Sequence, residues 1–274
     1  MRRTGVLLLG LVAWELAARL RWLDPLLFPP PLEVADVLMG LFRSGGFWGH
    51  VRTTLLEAFL GLASGVLMGG LLGIGAATFA PVAEVLEPVM ALLNAIPRVI
   101  LAPLFVIWFG IGVASKVALG FLLVCVVMFF AVYTGIREVD PRLVDRVRTL
   151  GGRSLDVLRE VYLPSLAAWL LSGLKVAVGF AFTGAVVGEF VAASRGIGYL
   201  LSFAQSTYNA RLTLALVLLV VSVILGLFGL STALERRWLR WKPEYRRAPS
   251  PVPSAAPSTP SAPAARGVRP VERE

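Results

Sequence analysis

The amino-acid sequence predicts an all-α integral membrane protein with about six transmembrane helices. Three observations carry that prediction. Apolar residues make up 57 % of the 274 residues and charged residues only 16 %, against about 25 % charged in an ordinary soluble domain. The chain therefore cannot cover a water-facing surface in the usual way, and its mean hydropathy is +0.78. Several stretches approach or exceed the ~20 apolar residues that a helix needs to cross the hydrocarbon core. Finally, Lys and Arg gather at one set of loops, as the positive-inside rule expects. Helices are required because a helix satisfies its own backbone in lipid.

Taken in order, the first run is VLLLGLVAWELAARL, residues 6–20, which is short and carries Glu15. Arg2-Arg3 ahead of it would also suit a signal peptide. The following RLRWLDPLLFPPP offers no small-residue cleavage site, so the run is read as an uncleaved span. The second run, residues 55–79, is Gly-rich through GVLMGGLLG, a pattern for close helix packing. The third, residues 89–113, contains Pro97, Arg98 and Pro103. The fourth, residues 117–136, is uninterrupted. Residues 166–190 and 212–234 complete the set.

With both termini cytoplasmic, the inner segments hold Arg2, Arg3, the basic residues of 137–159, and Arg236, Arg237, Arg240, Lys242, Arg246 and Arg247. The opposite loops hold Arg21, Arg43, Arg52, Lys116, Arg195 and Arg211. The inside excess is about twofold. The net charge of +9 is thus assigned to topology and to contact with anionic lipid headgroups, not to nucleic acid. Cys125 stands alone, so no internal disulfide forms, and it reads as a small buried hydrophobe. His50 is the single histidine, which disfavours a His-based metal site or triad. No G-x-x-x-x-G-K-[ST] phosphate loop is present. The expectation is a membrane protein with no ATPase site, catalytic residue, metal or cofactor of its own. Residues 1–247 form the membrane domain. Residues 248–274, rich in Pro, Ala and Ser, read as a disordered cytoplasmic tail.

One stretch fits neither lipid nor a flexible loop: DRVRTLGGRSLDVLREVYLP, residues 145–164. Asp140-Pro141 is a helix start, with Asp as cap and Pro in the first turn. Leu143, Val147 and Leu150 follow at helical spacing, and Gly151-Gly152 ends that helix. Ser154 can cap a second helix with Asp156 in its first turn. Leu155, Leu158 and Val161 or Tyr162 form its apolar stripe, and Pro164 ends the segment and opens the next span. Six basic and five acidic residues lie between Arg137 and Glu160. A headgroup binder would be strongly basic, so a groove on a cytoplasmic protein fits this mixed sign better.

The spacing resembles the cytoplasmic loop motif of binding-protein-dependent ABC importer permeases: E-A-A, three residues, G, nine residues, I, one residue, L-P. It falls here on Asp145-Arg146-Val147, Gly151, Val161 and Leu163-Pro164. Gly, Leu and Pro match, Val161 is conservative, and the E-A-A portion is degenerate. LFPPPLEVADVL, LEPVMALLNAIPRVILAPLFVIWFGIGVASKV, GLKVAVGFAFTGAVVGEF, GIGYLL and LERRWLRW resemble the nitrate/sulfonate/taurine-type subfamily, over residues 7–241. The resemblance implies a type I ABC importer permease fold in the bacterial inner (cell) membrane, with a cytoplasmic coupling helix. It implies as partners a cytoplasmic ABC ATPase dimer that binds the ATP, a second permease copy, and an extracytoplasmic solute-binding protein. The coupling loop would comprise Asp145, Arg146, Val147, Leu150, Gly151, Leu155, Leu158, Val161, Leu163 and Pro164. The cargo would be a small solute, anionic as in nitrate, sulfonates or taurine, or alternatively a thiamine-precursor pyrimidine or other small organic molecule.

Polar residues inside spans are functional candidates. Asn94, Pro97, Arg98 and Trp108 are candidates for lining the translocation path, since Pro97 and Pro103 interrupt helical bonding; equally, Arg98 can snorkel to the interface. Lys175 and Glu189 lie fourteen residues apart on nearly one helix face, with Gly179, Phe182 and Val186 between them. That face reads either as a cationic lining for an anionic solute or as an ion pair and interfacial anchor. A secondary transporter would need internal repeats and midplane ion sites, and neither is visible. An intramembrane enzyme lacks a His, Asp or Ser constellation. A receptor or scaffold would leave the loop spacing unexplained.

Overall fold

The computed structural model describes residues 2–20, 22, 24 and 27–238; the predicted tail lies outside them. The described residues form helices and connecting turns without strands. In order these are α1 (Arg2–Arg19), α2 (Pro31–Arg43), α3 (Gly45–Thr78), α4 (Ala80–Ala95), a 3₁₀ turn (Arg98–Leu101), α5 (Ala102–Phe109), α6 (Val113–Arg137), α7 (Pro141–Thr149), α8 (Ser154–Val157), a π turn (Leu158–Tyr162), α9 (Leu163–Val191), α10 (Ile197–Ser206) and α11 (Ala210–Trp238).

Among the described residues four helical stretches are long and apolar enough to cross a membrane: 45–78, 113–137, 154–191 and 210–235. A fifth candidate is α4 with the 3₁₀ turn and α5, bent by 91° at the Ile96-Pro97 break. Its neighbours show that it crosses. The glycines of α3 meet α6 in ascending order, Gly61 at Gly120, Gly65 at Val124 and Gly73 at Phe129 and Val132, so α3 and α6 run parallel. The chain between two parallel spans must return across the bilayer. Met90 accordingly packs with Ala76, Phe129 and Tyr133 at one end, and Ala102 with Leu119 and Leu123 toward the other. Pro97 supplies the break by removing a backbone donor. The first predicted span corresponds to α1, 18 residues long, about 27 Å at 1.5 Å per residue; it falls outside the set that meets the apolar-length test.

In lipid, helices gain little from hydrophobic contact with one another, so association rests on close packing. α6 sits at the centre. Gly61, Gly65, Gly69 and Gly73 on α3, and Gly173, Gly184 and Gly188 on α9, face it from two sides. A Cβ at Gly69 would stand 2.3 Å from the Cys125 carbonyl oxygen, and one at Gly184 would stand 2.7 Å from the Gly120 Cα. Cys125 is buried in this seam, as expected. A second core joins Phe182, Ala185 and Val186 of α9 to Ile197 and Ala204 of α10 and Leu216 and Leu219 of α11. The short helix α2 packs on α11, with Arg211 Nε 2.8 Å from Glu33 Oε2.

The structure corrects three expectations. The second span begins ten residues earlier than its apolar run, because residues 45–54 continue the helix through Arg52. Lys116 is no loop residue but lies buried in the first turn of α6. Pro164 does not end the loop segment: Ser154 to Val191 is one continuous 38-residue helical stretch. Pro164 sits in the first turn of α9, beside the π turn, whose wider ring changes the local hydrogen-bond register.

The seam makes a paired prediction. Gly69→Ala should destabilise the protein by about 1–3 kcal/mol, the usual cost of overpacking. Gly70→Ala, where a Cβ meets nothing within 4 Å, should be neutral or slightly stabilising. Thermal unfolding of both variants in detergent checks the difference.

Candidate functional site

The 137–164 segment leaves the C-terminal end of α6 and returns into α9. The Asp140 side chain accepts the Arg142 amide at 2.9 Å, and Pro141 occupies the first position of α7, as the sequence predicts. The helix ends in a Schellman arrangement. The Gly151 amide donates to the Arg148 carbonyl at 2.9 Å, and the Gly152 amide donates to the Val147 carbonyl at 2.9 Å. Gly151 has φ +82°, a left-handed conformation that a side chain disfavours. At Gly152 the constraint is steric, since a Cβ would meet Val147 Cγ1 at 2.6 Å.

The second helix differs from expectation in its cap and its face. Arg153, not Ser154, is the N-cap, and its amide donates to Asp156 Oδ2 at 2.7 Å. Val157 and Val161 are the buried pair, whereas Leu155 and Leu158 point outward. Both pairs fit helical spacing, so packing against the bundle, not periodicity, decides which faces inward. Leu143, Leu150, Leu155, Leu158 and Leu163 are all exposed, Leu150 at 81 %. Asp145, Arg146 and Gly151 are exposed beside them, and Val147 and Pro164 are half-buried. The segment thus presents exposed leucines set among charges of both signs. The adjoining bundle end is tied together by Tyr133, which donates to Glu87 Oε2 at 2.8 Å and lies under the Arg137 guanidinium.

The broken span places Asn94 and Arg98 together. Arg98 Nη2 donates to Asn94 Oδ1 at 3.3 Å and Nη1 to the Leu123 carbonyl at 3.4 Å, and the guanidinium lies 5.3 Å from the Phe180 ring centre. Arg98 is half-buried and forms no ion pair among the described residues. Asn94, Pro97 and Trp108 are exposed.

The α9 face does not act as one stripe. Lys175 lies 3.5 Å from Glu235 Oε2 and 4.4 Å from the Phe228 ring centre, which is the ion-pair arrangement the sequence left open. Phe182 and Val186 belong to the core with α10 and α11. Glu189 is buried at the far end of the bundle, where the Thr54 hydroxyl donates to it at 2.7 Å and the Gly198 amide at 2.8 Å. Glu57 and Lys116 are buried beside it. Run length and helical spacing did not single out Glu57 or Lys116 as site residues. The available signal was two carboxylates and a lysine near the same ends of three long apolar runs.

Residues 65–240 match the family described as binding-protein-dependent transport system inner membrane components. The chain belongs to that family. A probable ABC transporter permease protein of Haemophilus influenzae is 35 % identical over 224 residues, covering 82 % of this chain and 89 % of its own length. The taurine transport system permease protein TauC of Escherichia coli is 31 % identical, covering 88 % and 90 %. The formylaminopyrimidine transport permease protein ThiX of Halalkalibacterium halodurans is 29 % identical, covering 86 % and 93 %. In fold the chain resembles the inward-facing MetNI methionine ABC transporter, with TM-score 0.61 and 18 % identity over 74 % of this chain and 98 % of the other. It also resembles an amino acid ABC transporter, with TM-score 0.59 and 20 % identity over 70 % and 93 %. The chain is a multi-pass ABC importer permease with the type I fold.

The Lys175 contacts yield a test. Lys175→Met removes one partner of a mostly buried carboxylate and should lower thermal stability. Adding Glu235→Gln should recover part of the stability, because breaking a buried pair on one side costs more than replacing both sides. Melting curves of the single and double variants supply the measurement.

Proposed function

We propose that this permease admits a small anionic solute, sulfonate-like in charge, and is driven through its 137–164 loop by a cytoplasmic ABC ATPase. Both termini then lie in the cytoplasm, and an extracytoplasmic binding protein delivers the cargo to the α10 end. A second copy of the chain completes the pathway. The observation that carries the cargo class is Arg98, a guanidinium at the break of a crossing segment that forms no ion pair among the described residues. A cation at such depth is stable only beside protein or water, and an anion passing the break would meet charge-assisted donors. The relatives named for taurine and for aliphatic sulfonates handle compounds bearing a sulfonate group. The relative named for formylaminopyrimidine supplies the alternative, an uncharged heterocycle, for which Arg98 would have no electrostatic role.

For the coupling loop, the support is its exposed leucines and the helix that joins it to the bundle. Apolar anchors with a charged rim suit a protein groove, and the 38-residue stretch from Ser154 gives a rigid path from loop to bundle.

Two variants test the reading in proteoliposomes that hold the permease, its ATPase and its binding protein. Arg98→Gln should leave the complex assembled and lower sulfonate uptake about tenfold or more, the worth of a hydrogen bond to a charged group. Unchanged sulfonate uptake would remove the anionic assignment. Gly151→Val should remain in the membrane, strain the loop by about 1–2 kcal/mol, and uncouple ATP hydrolysis from uptake or release the ATPase. Normal co-purification together with normal substrate-stimulated hydrolysis would contradict the loop's role.

A further inference from the structure

At the bundle end opposite the 137–164 loop, the side chains of Thr54, Glu57, Lys116 and Glu189 are almost wholly buried. They come from α3, α6 and α9. Glu189 accepts the Thr54 hydroxyl at 2.7 Å on Oε1 and 2.9 Å on Oε2, and the Gly198 amide at 2.8 Å on Oε2. Thr54 Oγ1 in turn accepts the Ile197 amide at 2.9 Å, and His50 Nδ1 accepts the Gly196 amide at 3.0 Å. Three successive amides at the start of α10 are therefore met by side chains of α3 and α9. The fit is close, since a Cβ at Gly196 would fall 2.0 Å from Glu189 Cδ.

Glu57 lies one helical turn from Thr54 on α3, buried beside Glu189, and its Oε2 is buried without a hydrogen-bond partner among the described residues. Two carboxylate anions side by side in a dry interior repel one another, so such a pair keeps a proton on one of them. The contacts decide which. Glu189 has donors on both oxygens, which suits an anion. An anionic Glu57 would leave a charged Oε2 unpartnered, a costly arrangement, whereas in a protonated acid that atom is an uncharged carbonyl oxygen. The Lys116 ammonium donates to the Ile111 carbonyl at 2.6 Å and acts on both acids. The other polar and charged groups that face this region are Ser115 of α6, His50 of α3, and Arg195 and Tyr199 around the start of α10.

We propose that this cluster is a proton-binding site, with one proton held on Glu57 and donated to Glu189. Glu189 carries one negative charge and Lys116 one positive, so the site is neutral as a whole. Its role is positioning. The ionised Glu189 pins the first turn of α10 to α3 and α9, and the proton on Glu57 keeps a second negative charge out of the dry interior.

The wild-type protein provides the first test. With ¹³C-labelled glutamate, its infrared spectrum at neutral pH should show a protonated carboxylic acid band, although an ordinary glutamate with pKa about 4.3 is ionised there. No such band overturns the proposal. Glu57→Gln, whose amide N–H replaces the acid O–H, should abolish the band and leave hydrogen exchange of the 196–198 amides within about twofold of wild type. Glu57→Leu, which cannot donate, and Glu189→Gln should each speed that exchange about tenfold or more. A band that survives Glu57→Gln places the proton elsewhere and overturns the assignment. Equal exchange in Glu57→Gln and Glu57→Leu would show that the donated proton has no positioning role.

Discussion

Close backbone approach along the two faces of α6 is the constraint on which this molecule depends. Lipid tails solvate leucine as well as another helix does, so helix association must come from packing and from polar contacts. Glycines on α3 and α9 let both helices reach α6 at backbone distance, with carbonyl oxygens and Cα atoms where side chains would otherwise stand. Everything functional is attached to that three-helix unit. The parallel run of α3 and α6 forces the intervening chain to recross, and the recrossing segment is the one broken at Pro97 that carries Arg98.

The two ends of the unit are built differently. At one end α6 and α9 extend into a charged loop whose leucines face outward and whose turn is set by a left-handed glycine. At the other, α3, α6 and α9 enclose a sealed polar cluster that holds α10 by its first amides. A surface of exposed leucines among charges and a buried polar network answer opposite demands. Under the proposed coupling role the first exchanges contacts with another protein, while the second holds the start of α10 in place.

Much of this was legible in the sequence. Composition and run length dictated a helical membrane protein. The Asp140-Pro141 start and the Gly151-Gly152 stop of α7 followed from local backbone chemistry, and the loop spacing matched the family. The glycine repeat of the second span marked a packing seam. What stayed hidden depended on three dimensions. The exposed face of the second loop helix could not be read from periodicity, because Leu155 and Leu158 fit helical spacing as well as Val157 and Val161 do, and packing buries the valines. Lys175 and Glu189 shared a face on a helical wheel, yet one finds Glu235 and the other Thr54. Lys116 looked like a loop cation because it falls between the apolar runs 89–113 and 117–136, whereas the helix itself starts at Val113.

A photo-crosslinking residue at Leu150, exposed at 81 %, tests the central claim most directly. The control is the same residue at Tyr208, exposed at 88 % at the opposite end of the bundle. In membranes containing the assembled transporter, the account predicts that position 150 captures the ATPase subunit and position 208 never does. Capture of the ATPase from position 208, or its absence at position 150 in an assembled complex, would contradict it.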